Sequence, residues 1–167
     1  MKIKSNYDLL LRAQYLVELS EKFFTEEANN NPQLEILIET INQLSKTDHP
    51  DLVILVYEFE LLKGHGFGLR IFECLNCSKS LTKSSNYFSY TNGGFYCESC
   101  LGEVHANEEL VKFSVEDQVI FRSIERKAYN ELLNLDIKDL SIKKLSGTLR
   151  KSISNVLGVQ LKTSRFL

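Results

Sequence analysis

The sequence predicts a mainly α-helical protein, in which a helical bundle contains an inserted β-hairpin that bears four cysteines. Apolar residues recur at helical spacing on both sides of residues 71–104. The segment between them is rich in Ser, Asn, Thr and aromatic residues, and Asn92-Gly93 separates two β-like runs, which is a strong hairpin signal. We therefore expect residues 1–70 and 105–167 to form the two parts of the bundle and residues 71–104 to form the insert.

The first half of the chain predicts three helices. The first, over residues 6–24, carries a broad apolar face made of Leu9, Ala13, Leu16, Val17, Phe23 and Phe24. Asn31-Pro32 opens the second helix, because Asn is a favoured cap and Pro fits the first helical position. Its apolar stripe consists of Leu34, Leu37, Ile38, Ile41 and Leu44. The third helix, over residues 51–63, is apolar nearly all round, which predicts a place at the centre of the bundle.

The remaining elements follow from turn and cap signals. Short β-like runs lie at residues 87–90 and 94–96, on either side of the Asn-Gly turn. Ser114 and Asp117 fit a capping box at the start of a helix. A last helix carries Ile142, Leu145, Leu149, Ile153, Val156 and Leu157 and stops at Gly158.

Two C-x-x-C pairs, Cys74/Cys77 and Cys97/Cys100, are separated by 19 residues, the spacing expected of a zinc ribbon. The two-residue gap turns the backbone so that both thiolates of a pair face one point about 2.3 Å from the metal. The hairpin brings the second pair against the first. Four thiolates close a tetrahedral shell with no position for water, so the predicted role of the Zn²⁺ ion is structural. The fold class is thus a helical bundle with an inserted four-cysteine zinc ribbon.

Other roles for the cysteines are less well supported but stay open. Two disulfides need an oxidising compartment, for which the sequence has no signal. A redox pair needs a C-x-x-C at a helix start in an α/β pattern, and an iron–sulfur cluster is a further use of four cysteines. His49, His65 and His105 are expected to be solvated loop residues, since a complete thiolate shell needs none of them.

Composition excludes some classes of protein. The formal net charge is −2, so the whole chain is not a general polyanion binder. The charge is uneven, however: residues 1–62 hold 5 basic and 11 acidic residues, whereas residues 138–167 hold 7 basic residues and, as the acidic residue, Asp139 alone.

The sequence shows no signal for export or membrane insertion. The N-terminus lacks the pattern of a signal peptide, and the apolar run at 52–62 is too short and too charged to span a membrane. We expect a cytoplasmic location.

Several segments around the cysteine pairs and at the end of the chain carry a further signal. The stretch Phe59 to Gly66 leads into the first cysteine pair, Phe88-Ser89 and Gly93-Gly94 precede the second pair, and the chain closes with Leu-Lys-Thr-Ser-Arg-Phe-Leu at residues 161–167. The cysteine pairs alone fit many families. Their combination with this closing segment is much more specific, and it resembles one family, the bacterial DNA-repair protein RecO. The resemblance covers nearly the whole chain from just after the family's N-terminal domain.

The resemblance implies a recombination mediator that is not an enzyme. RecO-like proteins work with RecR to load RecA onto single-stranded DNA coated by single-stranded DNA-binding protein (SSB), and their helical domain docks the acidic, apolar tail of SSB. Such docking needs an apolar pocket rimmed by Lys or Arg. The family's N-terminal OB-fold, which carries much of the DNA binding, has no counterpart in this sequence, so we expect weakened binding of single-stranded DNA.

The basic C-terminal stretch is the candidate binding surface. Contacts to phosphates or to an acidic peptide need Lys and Arg donors, and the candidates are Lys143, Lys144, Arg150, Lys151, Lys162 and Arg165. The alternative is a solvated helix face with favourable charges near the helix C-terminus.

Two other functions compete with the repair mediator. One is a stand-alone zinc-ribbon adaptor for protein interaction without a repair role. The other is a metalloenzyme, which the sequence favours least, because it shows no open metal site, nucleophile–base motif or phosphate-binding glycine loop.

Overall fold

The computed structural model describes residues 6–24, 31–104, 107–126, 129–132 and 139–167. The described helices are α1 (Tyr7–Phe23), α2 (Asn31–Leu44), α3 (Pro50–Gly64), α4 (Val115–Arg126), α5 (Tyr129–Leu132) and α6 (Asp139–Leu157). The strands are β1 (Arg70–Cys74), β2 (Asn86–Ser89), β3 (Gly94–Tyr96) and β4 (Leu110–Phe113). Two 3-10 turns lie at Glu98–Glu103 and Thr163–Phe166. The predicted fold, a mainly helical protein with a small β-insert, is confirmed.

Helix α3 forms the centre of the bundle, as its uniform apolarity predicted. It packs against α1, α2, α4 and α6, and Val53, Ile54 and Leu55 are each at most 1% exposed. Because side chains at consecutive positions point around the whole helix, burial of three in a row means that neighbouring elements surround α3. Among the buried residues of α3, one is acidic: Glu58, which is 0% exposed.

Side-chain caps mark the starts of α1 and α4. The side chain of Asn6 accepts hydrogen bonds from the backbone N–H groups of Asp8 and Leu9 at the start of α1. The capping box of α4 is reciprocal: the Asp117 N–H donates to Ser114 Oγ at 3.1 Å, and the Ser114 N–H donates to Asp117 Oδ2 at 3.2 Å. Gly158, just after α6, has a φ of +65°, the left-handed conformation that favours glycine at a helix end.

The sheet contains two strands that the sequence analysis missed, β1 and β4. The strand order is β1-β3-β2-β4. The predicted hairpin pairs β2 with β3 in antiparallel register, with Phe88 opposite Phe95. β4 extends it on one side in antiparallel register, and β1 lies parallel to β3 on the other side.

Four residues of the predicted apolar faces lie at the surface, one of which is Val156 of α6 at 36% exposure. Val17, Leu34 and Ile38 are 42%, 44% and 53% exposed. Helices α1 and α2 therefore bury narrower stripes than their sequences suggested. None of the described helices is long and apolar enough to cross a membrane.

Candidate metal centre

The four cysteines come from two turns that the sheet holds side by side. Cys74 ends β1 and Cys77 lies in the turn that follows, while Cys97 follows β3 and Cys100 lies in the 3-10 turn Glu98–Glu103. Because β1 and β3 are neighbours in the sheet, their ends lie together. All four Sγ atoms lie within 4.8 Å of one another.

This geometry fits a tetrahedral metal ion. Zn–S bonds of about 2.3 Å in a tetrahedron place the sulfur atoms about 3.8 Å apart, and Cys77 Sγ lies 3.9 Å from Cys97 Sγ. A disulfide would need a separation of about 2.05 Å, and all four cysteines are free. The four cysteines are therefore positioned to hold a metal ion, and their donor set is compatible with structural zinc.

Backbone N–H groups stabilise the thiolate of Cys74. The Cys97 N–H donates to Cys74 Sγ at 3.4 Å. Burial by itself raises the pKa of Cys74, but hydrogen bonds from the backbone of Cys77, Cys97 and Asn76 outweigh it and lower the pKa to about 6. Because metal ligation needs the deprotonated thiol, this turn prepares Cys74 as a ligand.

The pKa of Cys100 is shifted in the opposite direction, upward. A hydrogen bond with the Asn76 side chain lowers its pKa. Hydrogen bonding with the Cys97 thiol, burial, and hydrogen bonding with the Cys77 and Cys74 thiols together outweigh this and raise the pKa of Cys100 to about 12. Four thiolates at this separation repel one another. A divalent cation at their centre relieves that repulsion, so the electrostatics of the group also fit a metal ion.

Asn76 is a supporting residue that the sequence analysis missed. Its side-chain amide donates to Glu103 Oε2 at 2.5 Å, which ties the first turn to the end of the second. The signal was present in the sequence, since Asn76 occupies one of the two positions between the first two cysteines.

The histidines take no part in this group among the described residues. His65 Nδ1 lies 2.9 Å from the Leu61 carbonyl oxygen, and its ring stacks against Phe24. His49 occupies the N-cap position of α3, and His105 lies outside the described residues.

Three of the candidate basic side chains make ion pairs within the chain. Lys144 Nζ lies 2.6 Å from Asp117 Oδ2, and Arg150 Nε lies 3.1 Å from Glu58 Oε1. Lys151 pairs with Glu109 near the surface. The carboxylates of Asp117 and Glu58 are 8% and 0% exposed, so these two pairs anchor α6 to the core.

The other three candidates are Lys143 on α6 and Lys162 and Arg165 at the C-terminal 3-10 turn. Lys143 is exposed on α6 and lines a shallow cavity with Asp48, His49 and Ile142. The Lys162 backbone N–H donates to Glu18 Oε1 at 2.8 Å, and Arg165 is exposed in the last 3-10 turn. The binding roles of all six residues stay predictions.

A cavity of about 300 Å³ lies between α6, α1 and the C-terminal segment. Its apolar lining comes from Ile153, Val159 and Leu161, and Arg150 and Lys151 contribute positive charge. This apolar cavity with basic residues has the properties that docking of an acidic, apolar peptide requires.

A mainly helical bundle with a four-cysteine group on its β-insert defines the class as a helical domain with a zinc-ribbon-type hairpin. The family model described as "Recombination protein O C terminal" matches residues 4–165. The chain therefore belongs to the RecO C-terminal family.

Curated relatives support this assignment. The chain is 28% identical over 168 residues to "DNA repair protein RecO" of Dehalococcoides mccartyi (strain CBDB1), covering 100% of this chain and 64% of the relative. It is 28% identical over 161 residues to the protein of that name from Caldicellulosiruptor saccharolyticus, covering 96% and 59%. The protein of that name from Roseiflexus sp. (strain RS-1) is 32% identical over 101 residues, covering 60% and 36%. The chain spans less than two thirds of the length of these relatives.

Proposed function

We propose that this chain acts in DNA repair and homologous recombination as a RecO-type mediator. It would help to load RecA onto SSB-coated single-stranded DNA through the partners RecR and SSB, without carrying out covalent chemistry. The observation that carries the proposal is the family match over residues 4–165, together with relatives named as DNA repair proteins. The bacterial cytoplasm is the compartment in which this work would take place.

The zinc centre would serve this function by holding the ribbon in place. Cys74, Cys77, Cys97 and Cys100 would bind the ion, and a closed thiolate shell supplies structure rather than a reactive water. The ion would join the end of β1 to the turn after β3. The sheet would then have a fixed position against α4.

The cavity lined by Arg150, Lys151, Ile153, Val159 and Leu161 is the site that we propose for the SSB tail. An apolar side chain of the peptide would enter between Ile153 and Leu161, and its carboxylates would lie toward Lys151. Arg150 already neutralises the buried Glu58, so it would contribute less charge to a ligand than Lys151. Lys151 is 40% exposed, and its partner Glu109 is 64% exposed, which makes that surface pair easy to exchange.

Val159→Asp tests this assignment. Val159 lines the cavity and is 48% exposed, so the change should leave the fold intact and place a negative charge beside the acidic peptide. We expect affinity for a fluorescent SSB C-terminal peptide to fall about tenfold or more, because each factor of ten corresponds to only about 1.4 kcal/mol. The readout is fluorescence anisotropy on the zinc-loaded chain.

Val119→Asp is the matched control. Val119 is 54% exposed on α4 and is not among the residues that line the cavity, so this variant should bind the peptide as the unchanged chain does. An equal loss in both variants would show that net charge, not the cavity, governs binding. No binding by the unchanged chain at high protein concentration would contradict the SSB contact and favour the adaptor without a repair role.

A further inference from the structure

Two arginines of α4 lie over one aromatic ring of β1. The Arg126 guanidinium carbon is 4.4 Å from the centroid of the Phe72 ring, and the Arg122 guanidinium carbon is 6.0 Å from it. Arg126 is exposed, whereas Phe72 and Arg122 are half-buried. We call Phe72, Arg122 and Arg126 the arginine–phenylalanine cluster. It includes none of the basic residues that the sequence analysis selected.

Neutral groups, not carboxylates, hold Arg122 in position. Its Nε donates to the Ile71 carbonyl oxygen at 3.0 Å, and its Nη2 donates to Gln118 Oε1 at 3.3 Å. In the part of the chain that the structure describes, neither Arg122 nor Arg126 forms an ion pair with a carboxylate. The cluster therefore keeps its positive charge, unlike Lys144 and Arg150, whose charges are neutralised by buried acids.

Repulsion between Arg122 and Arg126 destabilises the folded chain. Like charges four residues apart on a helix repel each other by roughly 0.2–0.5 kcal/mol. Burial lowers the pKa of Arg122, and the charge of Arg126 lowers it further. An anionic ligand would remove the repulsion, since a guanidinium group offers five N–H donors and Arg122 uses two of them within the chain.

We propose that the arginine–phenylalanine cluster is a contact site for single-stranded nucleic acid, with Arg122 and Arg126 binding phosphate oxygens. Guanidinium forks match phosphate geometry. The Arg126 guanidinium, which lies over Phe72, also offers a planar cation on which an unpaired base stacks. An acidic peptide would use the charge but not this stacking surface. The inference rests on the proposed function, because it assigns the DNA contact of the mediator to α4 and β1 rather than to α6.

Arg126→Gln tests the cluster, with fluorescein-labelled oligothymidylate as the probe. Arg126 is exposed and makes no described hydrogen bond, so its removal should not disturb folding. For single strands, each lost phosphate contact lowers the slope of log affinity against log salt by about 0.7. We expect that change in slope, a roughly tenfold loss of affinity at low salt, and only partial recovery in Arg126→Lys, which keeps the charge but not the planar group.

Lys79→Gln is the matched control, because Lys79 is an exposed cation of the ribbon outside the cluster. It should change neither the slope nor the affinity. The inference is overturned if both variants lose affinity equally, if Arg126→Gln binds like the unchanged chain, or if polyglutamate competes as well as unlabelled oligothymidylate. The SSB-peptide assay separates this failure from failure of the proposed function, since Arg126→Gln should bind the peptide normally.

Discussion

Among the candidate basic residues, Arg150 is distinguished by an ion pair with a fully buried carboxylate. Arg150 belongs to a buried network in which the Tyr15 hydroxyl donates to Glu58 Oε1 at 2.6 Å and Arg150 Nε donates to the same oxygen at 3.1 Å. Burial raises the pKa of Glu58, and the charge of Arg150 opposes that rise. The guanidinium group therefore compensates a carboxylate that has no access to water.

Arg150→Met should destabilise the chain strongly. It leaves the Glu58 carboxylate buried without its cation, a loss of about 3–5 kcal/mol in comparable buried pairs. Adding Glu58→Gln should recover part of this loss, because the amide carries no charge and its oxygen still accepts the Tyr15 hydroxyl. Urea unfolding followed by circular dichroism measures both effects.

Lys143→Met is the control for this pair of variants. Lys143 is exposed on the same helix, and surface substitutions of this kind usually change stability by less than about 0.5 kcal/mol. A small effect of Arg150→Met, comparable to that of Lys143→Met, would show that Glu58 takes a proton in the folded chain and needs no cation.

The sequence predicted the cysteine group but not the Arg150 network, and the reason is sequence distance. The spacing within each C-x-x-C pair is local, and a single hairpin brings the two pairs together. Arg150 and Glu58 are 92 residues apart. Glu58 is a charge within a largely apolar helix, but nothing in the sequence identifies the cation with which it pairs.

At the scale of elements, helices with their own caps could be predicted, whereas the outer strands could not. Asn6, Ser114 and Asp117 give their signals within three residues of the helix start. β4 is defined by pairing with β2, which places Phe113 opposite Asn86, and β1 is defined by parallel pairing with β3. β2 and β3 are no longer than these strands, but the Asn92-Gly93 turn between them indicates a hairpin, whereas β1 and β4 have no such local turn signal.

The C-terminal 3-10 turn is held to α1 by one carboxylate. Glu18 accepts the backbone N–H groups of Lys162 and Thr163 at 2.8 and 2.9 Å, and also the Thr163 hydroxyl. Burial alone raises the pKa of Glu18, but these hydrogen bonds outweigh it and lower the pKa. Lys162, selected from the sequence for its charge, therefore has a defined structural role through its backbone.

Glu18→Ala should release this turn without unfolding the bundle. Loss of the acceptor should reduce the free energy of unfolding by about 1 kcal/mol. It should also raise the rate of hydrogen exchange at the Lys162 and Thr163 amides and the rate of trypsin cleavage after Lys162. Glu21→Ala, an exposed acidic position one turn later on α1, should leave both rates unchanged. Equal rates in the Glu18 variant and the unchanged chain would show that the turn is held by Leu161 and its apolar contacts.

The same contact should depend on pH. Because folding lowers the pKa of Glu18, its contribution to stability is fully present above the unfolded pKa of about 4.3 and is lost as pH falls through the lower folded value. Protection of the two amides should decrease over that acidic range in the unchanged chain. The Glu18→Ala variant should lack this decrease.

At the scale of the whole molecule, the ribbon and the bundle share one core. Phe121 of α4 lies 5.9 Å from Phe88 of the sheet, 5.5 Å from Phe113 and 6.0 Å from Phe59 of α3, measured between ring centroids. This aromatic chain is continuous from the strands to the central helix. The division into segments 1–70, 71–104 and 105–167 remains a prediction about sequence organisation. Because the aromatic contacts join the sheet to the central helix, we expect these segments to unfold together.

Removal of the metal tests that expectation, since binding and folding are one equilibrium in such sites. Cys97→Ser, or a chelator acting on the unchanged chain, should remove zinc, as metal analysis would show. Near-ultraviolet circular dichroism reports tyrosines, including Tyr87 and Tyr96 of the sheet, and the far-ultraviolet signal reports the helices. Both thermal midpoints should fall together, because Phe121 joins the two parts. A lost tyrosine signal with an unchanged helix midpoint would identify an independent ribbon, and full zinc occupancy in Cys97→Ser would contradict the four-thiolate site.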